Sequence, residues 1–311
     1  MNDAVPAGPP APPTHLAPGY RQRQHPAGAA VHDALTYSMP NGYRALQLDL
    51  YVPSERTEPV PLVVFIHGGA WLFGTRELPP EYWPAGSLFT ACIEAGMAVA
   101  SIDYRHSREA SFPAQLHDGK AAIRYLREYG PALGIDADRI AVWGESAGGH
   151  LAALVALIDD PALEGAEGVT GPSSAVSAVV DFYGVSDVDR LPAFADSFPP
   201  EWREELERAG QGAPPEPIDV LLASTTLPDA RRAVSPVTHV TAAAPPFLLV
   251  HGEADGLVPI NQSELLHEAL LAAGVSSEFI RVPGADHVFL GTDPLPQIAR
   301  GVDFLKREFG L

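Results

Sequence analysis

The chain of 311 residues contains one cysteine, Cys92, and so cannot close a disulfide within itself. The segment around it, FTACIEAG, predicts a helix, and we expect Cys92 to be a small, buried, apolar residue. The sequence also lacks a His-Glu-x-x-His motif and any cysteine spacing typical of zinc ligands. We therefore expect no metal site.

Long apolar stretches are missing too. No run of roughly 18 apolar residues without charge occurs, so we expect no transmembrane helix and no membrane insertion. Residues 1–27 lack the basic start and continuous apolar stretch of a secretory signal. Their low hydrophobicity and many prolines predict a flexible tail instead. Without a signal or a disulfide, we expect a cytoplasmic location.

Basic side chains are scarce, since 20 lysines and arginines face 39 acidic residues and the formal net charge is −19. A field of this sign repels phosphate backbones and anionic membrane surfaces. We therefore expect a small-molecule substrate and no nucleic-acid partner.

Strand and helix patterns alternate along the rest of the chain. Residues 44–52 alternate apolar and polar side chains, which predicts a half-buried strand. Further strand candidates, with the loops that follow them, cover 61–69, 97–105, 140–146, 178–184, 246–255 and 277–287. Helical spacing covers 85–96, 112–129, 147–158, 261–274 and 296–309. The alternation predicts an α/β fold with a mostly parallel sheet, helices on both faces and an antiparallel edge.

One segment departs from this alternation. Residues 188–232 carry proline-rich and acidic stretches around a short helical pattern, which indicates an insertion after a strand. Insertions at this place serve as lids over a site or as passive surface loops. We expect a single catalytic domain over residues 28–311 with residues 188–232 as a lid insertion.

A candidate nucleophile lies where a predicted strand meets a predicted helix. Gly144, Glu145, Ser146, Ala147 and Gly148 fit the pattern G-x-S-x-G. The serine of this pattern occupies a strained strand-to-helix turn, and side chains two residues away on either side would collide. The helix that follows directs its positive end toward the serine and favours a developing oxyanion. We predict that Ser146 is the nucleophile.

Residues 67–71, His-Gly-Gly-Ala-Trp, follow a predicted strand directly and are the candidate oxyanion loop. Successive small residues allow backbone N–H groups to turn toward a carbonyl oxygen. We expect Gly68 to allow the turn, and Gly69 and Ala70 to donate. The residue after the nucleophile, Ala147, supplies the third N–H group.

His67 and Trp71 are the two ends of this loop. His67 precedes the nucleophile in the chain, which is the wrong order for the base of this motif, so we interpret it as structural. Trp71 fits either a wall of the substrate pocket or a buried packing residue.

A serine hydroxyl needs a histidine to take its proton and a carboxylate to orient that histidine. Asp255 follows a late strand and His287 follows the final one, as this motif requires. Glu253 is a rival for the acid. Asp286 adjoins the histidine, a position from which side chains rarely face each other, and we expect it to cap the turn.

Other histidines lie elsewhere in the predicted elements. None of them is in a loop after the last strand, and we interpret each as a core or surface residue: His117, His150, His251 and His267.

Taken together, the segments HGGAW, DYR, FPAQLHDGKAAIRYLR, WGESAGGHLAAL, HGEADGLVP and GADHVF resemble the α/β-hydrolase esterases, near the hormone-sensitive-lipase-like and feruloyl-esterase-like groups. The resemblance covers roughly residues 40–308. It implies the α/β-hydrolase fold with an eight-stranded sheet, a triad of Ser146, Asp255 and His287, and ester hydrolysis without a cofactor. The chain departs from the lipase-like pattern at Ala70, where a third glycine is common.

These observations predict a serine carboxylesterase that works through an acyl-enzyme. Two alternatives stay open at this point: an amidase or peptidase of the arylformamidase or acyl-peptide hydrolase type, and a non-catalytic ligand-binding module. Homodimers occur in this fold, and one is compatible with the sequence.

Overall fold

The computed structural model describes residues 26, 28–77, 80, 82–197, 200–209 and 214–311. The predicted tail, residues 1–27, therefore lies outside the described residues apart from Pro26. Within the described part, no helix combines the length and the apolar composition needed to cross a bilayer.

An eight-stranded sheet forms the centre of the protein, as predicted. Its strands are β1 (Ala29–Ser38), β2 (Leu46–Pro53), β3 (Val60–Ile66), β4 (Ala98–Ile102), β5 (Ile135–Glu145), β6 (Ala178–Phe182), β7 (Phe247–Gly252) and β8 (Ser277–Val282). Their order in the sheet is β1-β2-β4-β3-β5-β6-β7-β8. β2 pairs antiparallel with β1 and β4, and the strands from β4 to β8 pair in parallel. The predicted mostly parallel sheet with an antiparallel edge is confirmed.

Helices cover both faces of this sheet. The helices packed on it are α1 (Ser87–Glu94), α2 (Ala114–Tyr129), α3 (Ala147–Leu157), α7 (Asn261–Ala272) and α8 (Leu295–Phe309). Between β6 and β7 the chain also forms α4 (Pro200–Arg208), α5 (Pro217–Leu222) and α6 (Ala230–Ala233). Successive residues of β3 point to opposite faces, so Val64 packs in the core with α2, α3 and α7 while Phe65 packs in the core with α1 and α8. A strand buried on both sides must be apolar throughout, which explains the continuous apolar runs.

The first strand is the element that the sequence patterns did not reveal. β1 lies at the edge of the sheet, and only its last residues, Tyr37 and Ser38, are buried. Its pairing with β2 shifts register between His32 and Leu35, where Ala34 has a φ of 53°. An exposed edge strand with a bulge keeps no clean two-residue alternation, so its pattern is weak.

The described residues of the segment 188–232, which the sequence predicts to be an insertion, form short elements. Two 3₁₀ turns, Val188–Arg190 and Phe194–Ser197, precede α4, α5 and α6. A backbone hydrogen bond of 2.8 Å from Phe112 to the carbonyl of Leu221 joins α5 to the segment before α2. The insertion therefore contacts the core domain at its middle as well as at its ends.

Candidate active site

The carboxyl ends of parallel strands lie at one edge of a sheet, and the loops after β3, β5, β7 and β8 meet there. Ser146 occupies the turn from β5 to α3 with φ 53° and ψ −120°, a conformation that non-glycine residues rarely adopt. A Cβ atom on Gly144 would collide with the carbonyl of Gly148, and one on Gly148 with the carbonyl of Ile66. The requirement for glycine at both positions is therefore confirmed.

His287 bridges the serine and a carboxylate. Its Nε2 atom lies 3.0 Å from the Oγ of Ser146, and its Nδ1 lies 2.8 Å from the Oδ2 of Asp255. The ring of Tyr183 packs edge-on against the imidazole with the centroids 4.9 Å apart. An Nδ1–H that donates to the carboxylate leaves Nε2 free to accept the serine proton. The structure thus brings together the three residues that the sequence singled out.

The carboxylate of Asp255 has partners on both of its oxygens. Oδ1 accepts the backbone N–H groups of Leu257 at 3.0 Å and Val258 at 2.8 Å, and the Nε2 of His251 lies 3.3 Å from Oδ2. Burial favours the protonated acid, but hydrogen bonds from His251 and His287 outweigh it and hold the pKa of Asp255 well below its usual range. The group is therefore ionised at neutral pH.

Two other acidic residues, Glu253 and Asp286, lie close in the chain to Asp255 and His287 but do not bond the imidazole. Glu253 is exposed, whereas Asp255 is buried beside the imidazole. The Oδ1 of Asp286 accepts the backbone N–H of His287 at 2.7 Å and that of Gly256 at 2.9 Å, so this carboxylate caps the turn as predicted. It joins the loop that carries the imidazole to the loop that carries the acid.

The loop after β3 bends in the left-handed region at Gly69, Ala70 and Trp71, whose φ angles are 104°, 51° and 59°. A Cβ atom on Gly69 would collide with the carbonyl of Phe73, so glycine is required there. Among the described residues, no acceptor is recorded for the backbone N–H groups of Gly69, Ala70 and Ala147. The prediction that these three N–H groups donate to an oxyanion is compatible with this absence of an internal acceptor.

Gly68 differs from its neighbours because its N–H donates to the carboxyl group of Glu145. It therefore shapes the loop, as expected, and does not offer a free donor. The Glu145 carboxyl is buried, and burial raises its pKa to about 8 although the bond from Gly68 opposes this. The sequence reasoning gave Glu145 no role, because the variable position of G-x-S-x-G carries no signal of its own.

A cavity of about 320 Å³ opens beside Ser146. Ala70, Trp71 and Ala147 line it together with a set of apolar side chains, mostly from the insertion and its flanks: Val185, Val188, Leu191, Phe194, Ile218 and Leu257. Trp71 is at once buried and part of the wall, so both interpretations of this residue describe it. Within the described ranges, no group of three or more His, Cys, Asp or Glu residues is arranged to hold a metal ion.

The remaining histidines act through their hydrogen bonds. His67 stacks on Tyr104 and bonds the carbonyl of Gly68 through Nδ1 at 2.7 Å, in line with its structural interpretation. His150 and His251 are fully buried, and each uses both ring nitrogens. The sequence left open whether these two histidines lie in the core or at the surface, and the structure places both in the core.

The sequence is similar to those of known proteins. The family model BD-FAE matches residues 48–270. Esterase LipQ of Mycobacterium tuberculosis is 33% identical over 231 residues, which cover 74% of this chain and 50% of LipQ. The chain spans about half the length of the curated relatives it matches.

Two solved structures have a similar fold. A truncated carbohydrate esterase from gut microbiota has a TM-score of 0.76 and 27% identity, and the match covers 94% of this chain and all of that one. Esterase 2 of Thermogutta terrifontis, with propionate bound, has a TM-score of 0.68 and 28% identity, with 91% and 95% covered. The predicted α/β-hydrolase fold is thereby confirmed, and the chain belongs to the BD-FAE family, whose matched relatives are esterases.

Proposed function

We propose that the protein is a serine carboxylesterase that hydrolyses small carboxylic esters through an acyl-enzyme on Ser146. The observation that carries the proposal is the continuous line from Ser146 Oγ to His287 Nε2 at 3.0 Å and from His287 Nδ1 to Asp255 Oδ2 at 2.8 Å. The esterase names of the relatives support the same class of reaction.

In the first stage, Ser146 Oγ gives its proton to Nε2 of His287 and attacks the ester carbonyl carbon. The electron pair of the carbonyl bond moves to its oxygen, which accepts the N–H groups of Gly69, Ala70 and Ala147. As the bond to the alcohol oxygen breaks, His287 returns the proton to that oxygen. The alcohol leaves and the acyl group stays on the serine.

In the second stage, a water molecule gives a proton to Nε2 of His287 and attacks the acyl carbon. The tetrahedral intermediate collapses, the bond to Ser146 Oγ breaks, and His287 protonates that oxygen. A carboxylic acid is released and the serine is restored. Asp255 stays ionised throughout and stabilises the imidazolium.

The cavity beside the nucleophile supports a small, uncharged acyl or alcohol group. Its volume of about 320 Å³ is near the lower end for ligand pockets, and its wall is mainly apolar. Structures of the Thermogutta terrifontis esterase 2 hold propionate and butyrate, whose short alkyl chains are of this size. Because residues from 188–232 line the cavity, the position of this insertion supports a lid role.

Replacement of the nucleophile tests the proposal. Ser146→Ala should lower kcat on p-nitrophenyl butyrate by several orders of magnitude, with the melting temperature nearly unchanged. Wild type, but not Ser146→Ala, should also be labelled by a fluorophosphonate probe. Near-normal turnover by Ser146→Ala would refute the mechanism.

A comparison of esters with matched anilides separates ester from amide hydrolysis. We expect the p-nitrophenyl ester to be cleaved and the p-nitroanilide of the same acid to be cleaved far more slowly. Faster cleavage of the anilide would favour an amidase, and an absence of both labelling and turnover would favour a binding module.

A further inference from the structure

His150 is a buried histidine with a defined partner on each ring nitrogen. It lies one turn beyond the nucleophile on α3, where its backbone N–H donates to the carbonyl of Ser146 at 3.0 Å. The indole Nε1–H of Trp71 donates to Nδ1 at 3.1 Å, with the two rings edge-to-face at 4.9 Å. The other nitrogen, Nε2, lies 2.7 Å from the carbonyl oxygen of Val234.

These partners determine the protonation state of the ring. An indole N–H can only donate and a carbonyl can only accept. Nδ1 must therefore be unprotonated and Nε2 must carry the proton. A protonated imidazole would direct an N–H at the indole N–H. Burial agrees with this assignment, because it lowers the pKa of His150 to about 4 although the bond to Val234 opposes it.

The two partners lie on two different segments of the chain, and one of them, Trp71, is in the cavity wall. Trp71 follows Ala70, one of the three free backbone donors, and its side chain lines the cavity. Val234 follows α6, the last helix of the insertion. Through α6, Arg231 reaches the Oδ1 of Asp189 at 2.6 Å and thereby holds the first turn of the insertion.

We propose that His150 is a positioning residue that couples the oxyanion loop, through Trp71, to the end of α6, through Val234. Arg231 of α6 and other residues of the segment 188–232 line the cavity, so the coupling joins two parts of its wall. The inference rests on the proposed esterase activity, because it concerns the same cavity. His150 contacts neither the substrate nor the reacting atoms in this role. It determines how far apart these two parts of the wall stand and therefore how large a group the cavity orients.

A large acyl group touches both parts of the wall, whereas an acetyl group touches little beyond the reacting atoms. Loss of the coupling should therefore reduce the orientation of large groups most, and misplacement by about 1 Å can cost on the order of 100-fold in rate. An effect on stability alone would lower the activity on all esters alike, in proportion to the unfolded fraction.

The first test is His150→Leu, which removes both hydrogen bonds at nearly constant volume. We expect kcat/KM for p-nitrophenyl hexanoate to fall at least about 10-fold more than kcat/KM for p-nitrophenyl acetate. His267→Leu is the matched control, because His267 lies on α7 and bonds Ser277 outside the cavity. It should leave the ester ratio, which is kcat/KM for the hexanoate divided by kcat/KM for the acetate, unchanged.

The second test separates coupling from simple destabilisation. Trp71→Phe removes the indole N–H, and in the double variant His150→Leu should then cost much less than it does in the wild type. His150→Asn keeps an acceptor near the position of Nδ1 but does not reach Val234, so it should change the ester ratio by an intermediate amount. If His150→Leu does not fold, Trp71→Phe and His150→Asn still provide the measurement.

The inference would be overturned if the ester ratio stayed constant in all three variants, or if the effects of His150→Leu and Trp71→Phe were additive. This outcome is distinct from failure of the proposed function. Wild-type turnover that depends on Ser146, together with an unchanged ester ratio, would reject the coupling and leave the esterase mechanism intact.

Discussion

The carboxyl group of Glu145 accepts the backbone N–H of Gly68, so the residue just before the proposed nucleophile holds the loop that carries the proposed oxyanion donors. The bond joins the end of β5 to the loop after β3, two segments far apart in the chain. Because the carboxyl is buried, its pKa rises to about 8 and it is mostly protonated at neutral pH.

This relationship predicts an unusual dependence of stability on pH. Native Glu145 holds its proton up to about pH 8, whereas an unfolded glutamate releases it near its ordinary pKa of 4.5. Between these values the native state binds more protons, so the free energy of unfolding falls as the pH rises through this window. The glutamine of Glu145→Gln resembles the neutral acid and does not titrate, so this fall in the free energy of unfolding should be absent in the variant.

Melting temperatures between pH 5 and pH 9 provide the measurement. The melting temperature of Glu145→Gln minus that of the wild type should increase by at least about 2 °C from pH 5 to pH 9. The exposed residue Glu128 is the matched control, and Glu128→Gln should give a difference from wild type that does not change with pH. Parallel curves for wild type and Glu145→Gln would contradict the buried neutral carboxyl.

The conformation of Ala70 makes a second prediction. Its φ of 51° is tolerable for alanine and strongly unfavourable for a β-branched residue. Ala70→Val should therefore displace the backbone donor and lower kcat by about 100-fold, the effect of losing one oxyanion donor. Ala70→Gly, which suits a positive φ, should keep kcat within a few-fold of wild type. Equal activity of the two variants would show that this N–H does not stabilise the oxyanion.

The choice of acid is tested by two isosteric amides. Asp255→Asn should lower kcat by about 1,000- to 10,000-fold, because the amide no longer stabilises the imidazolium or holds the correct tautomer. Glu253→Gln should stay within about 2-fold of wild type, since that side chain is exposed. The reverse result would assign the acid to Glu253.

Charges at the rim of the cavity predict a preference among esters. Glu216 and Asp219 line the cavity, and Arg231 is neutralised there by Asp189 at 2.6 Å and approaches Asp219 at 3.6 Å. The rim is therefore negative overall. We expect p-nitrophenyl butyrate to be hydrolysed faster than the p-nitrophenyl monoester of succinic acid, which has a similar length and carries a carboxylate.

Substitutions at the rim should change this ratio in opposite directions. Arg231→Gln should raise the ratio of the rate on the butyrate ester to the rate on the succinate monoester, and Asp219→Asn should lower this ratio. Each change should be a few-fold only, because these side chains are well exposed and screened. High salt should weaken both effects. A ratio that is the same in all variants and insensitive to salt would show that size, and not charge, decides the preference.

The sequence by itself determined the strands β2 to β8 and the three residues of the proposed triad. Continuous apolar runs mark strands buried on both faces, and Ser146 lies in a local motif whose glycines are required by contacts within a few residues of it or with the adjoining strand. Asp255 and His287 follow from the order of the strands, since loops after parallel strands meet at one edge. β1 was not predicted, because an exposed edge strand with a bulge has no regular alternation of apolar and polar residues.

Only the tertiary structure decided which groups are engaged and which are free. That Gly68 donates to Glu145 while Gly69 and Ala70 stay available depends on the approach of two segments distant in the chain. The same holds for the bonds that His150 makes to Trp71 and Val234. Hydrogen bonds are short-ranged and directional, so their partners are decided by the packing of the elements and not by the spacing of residues along the chain.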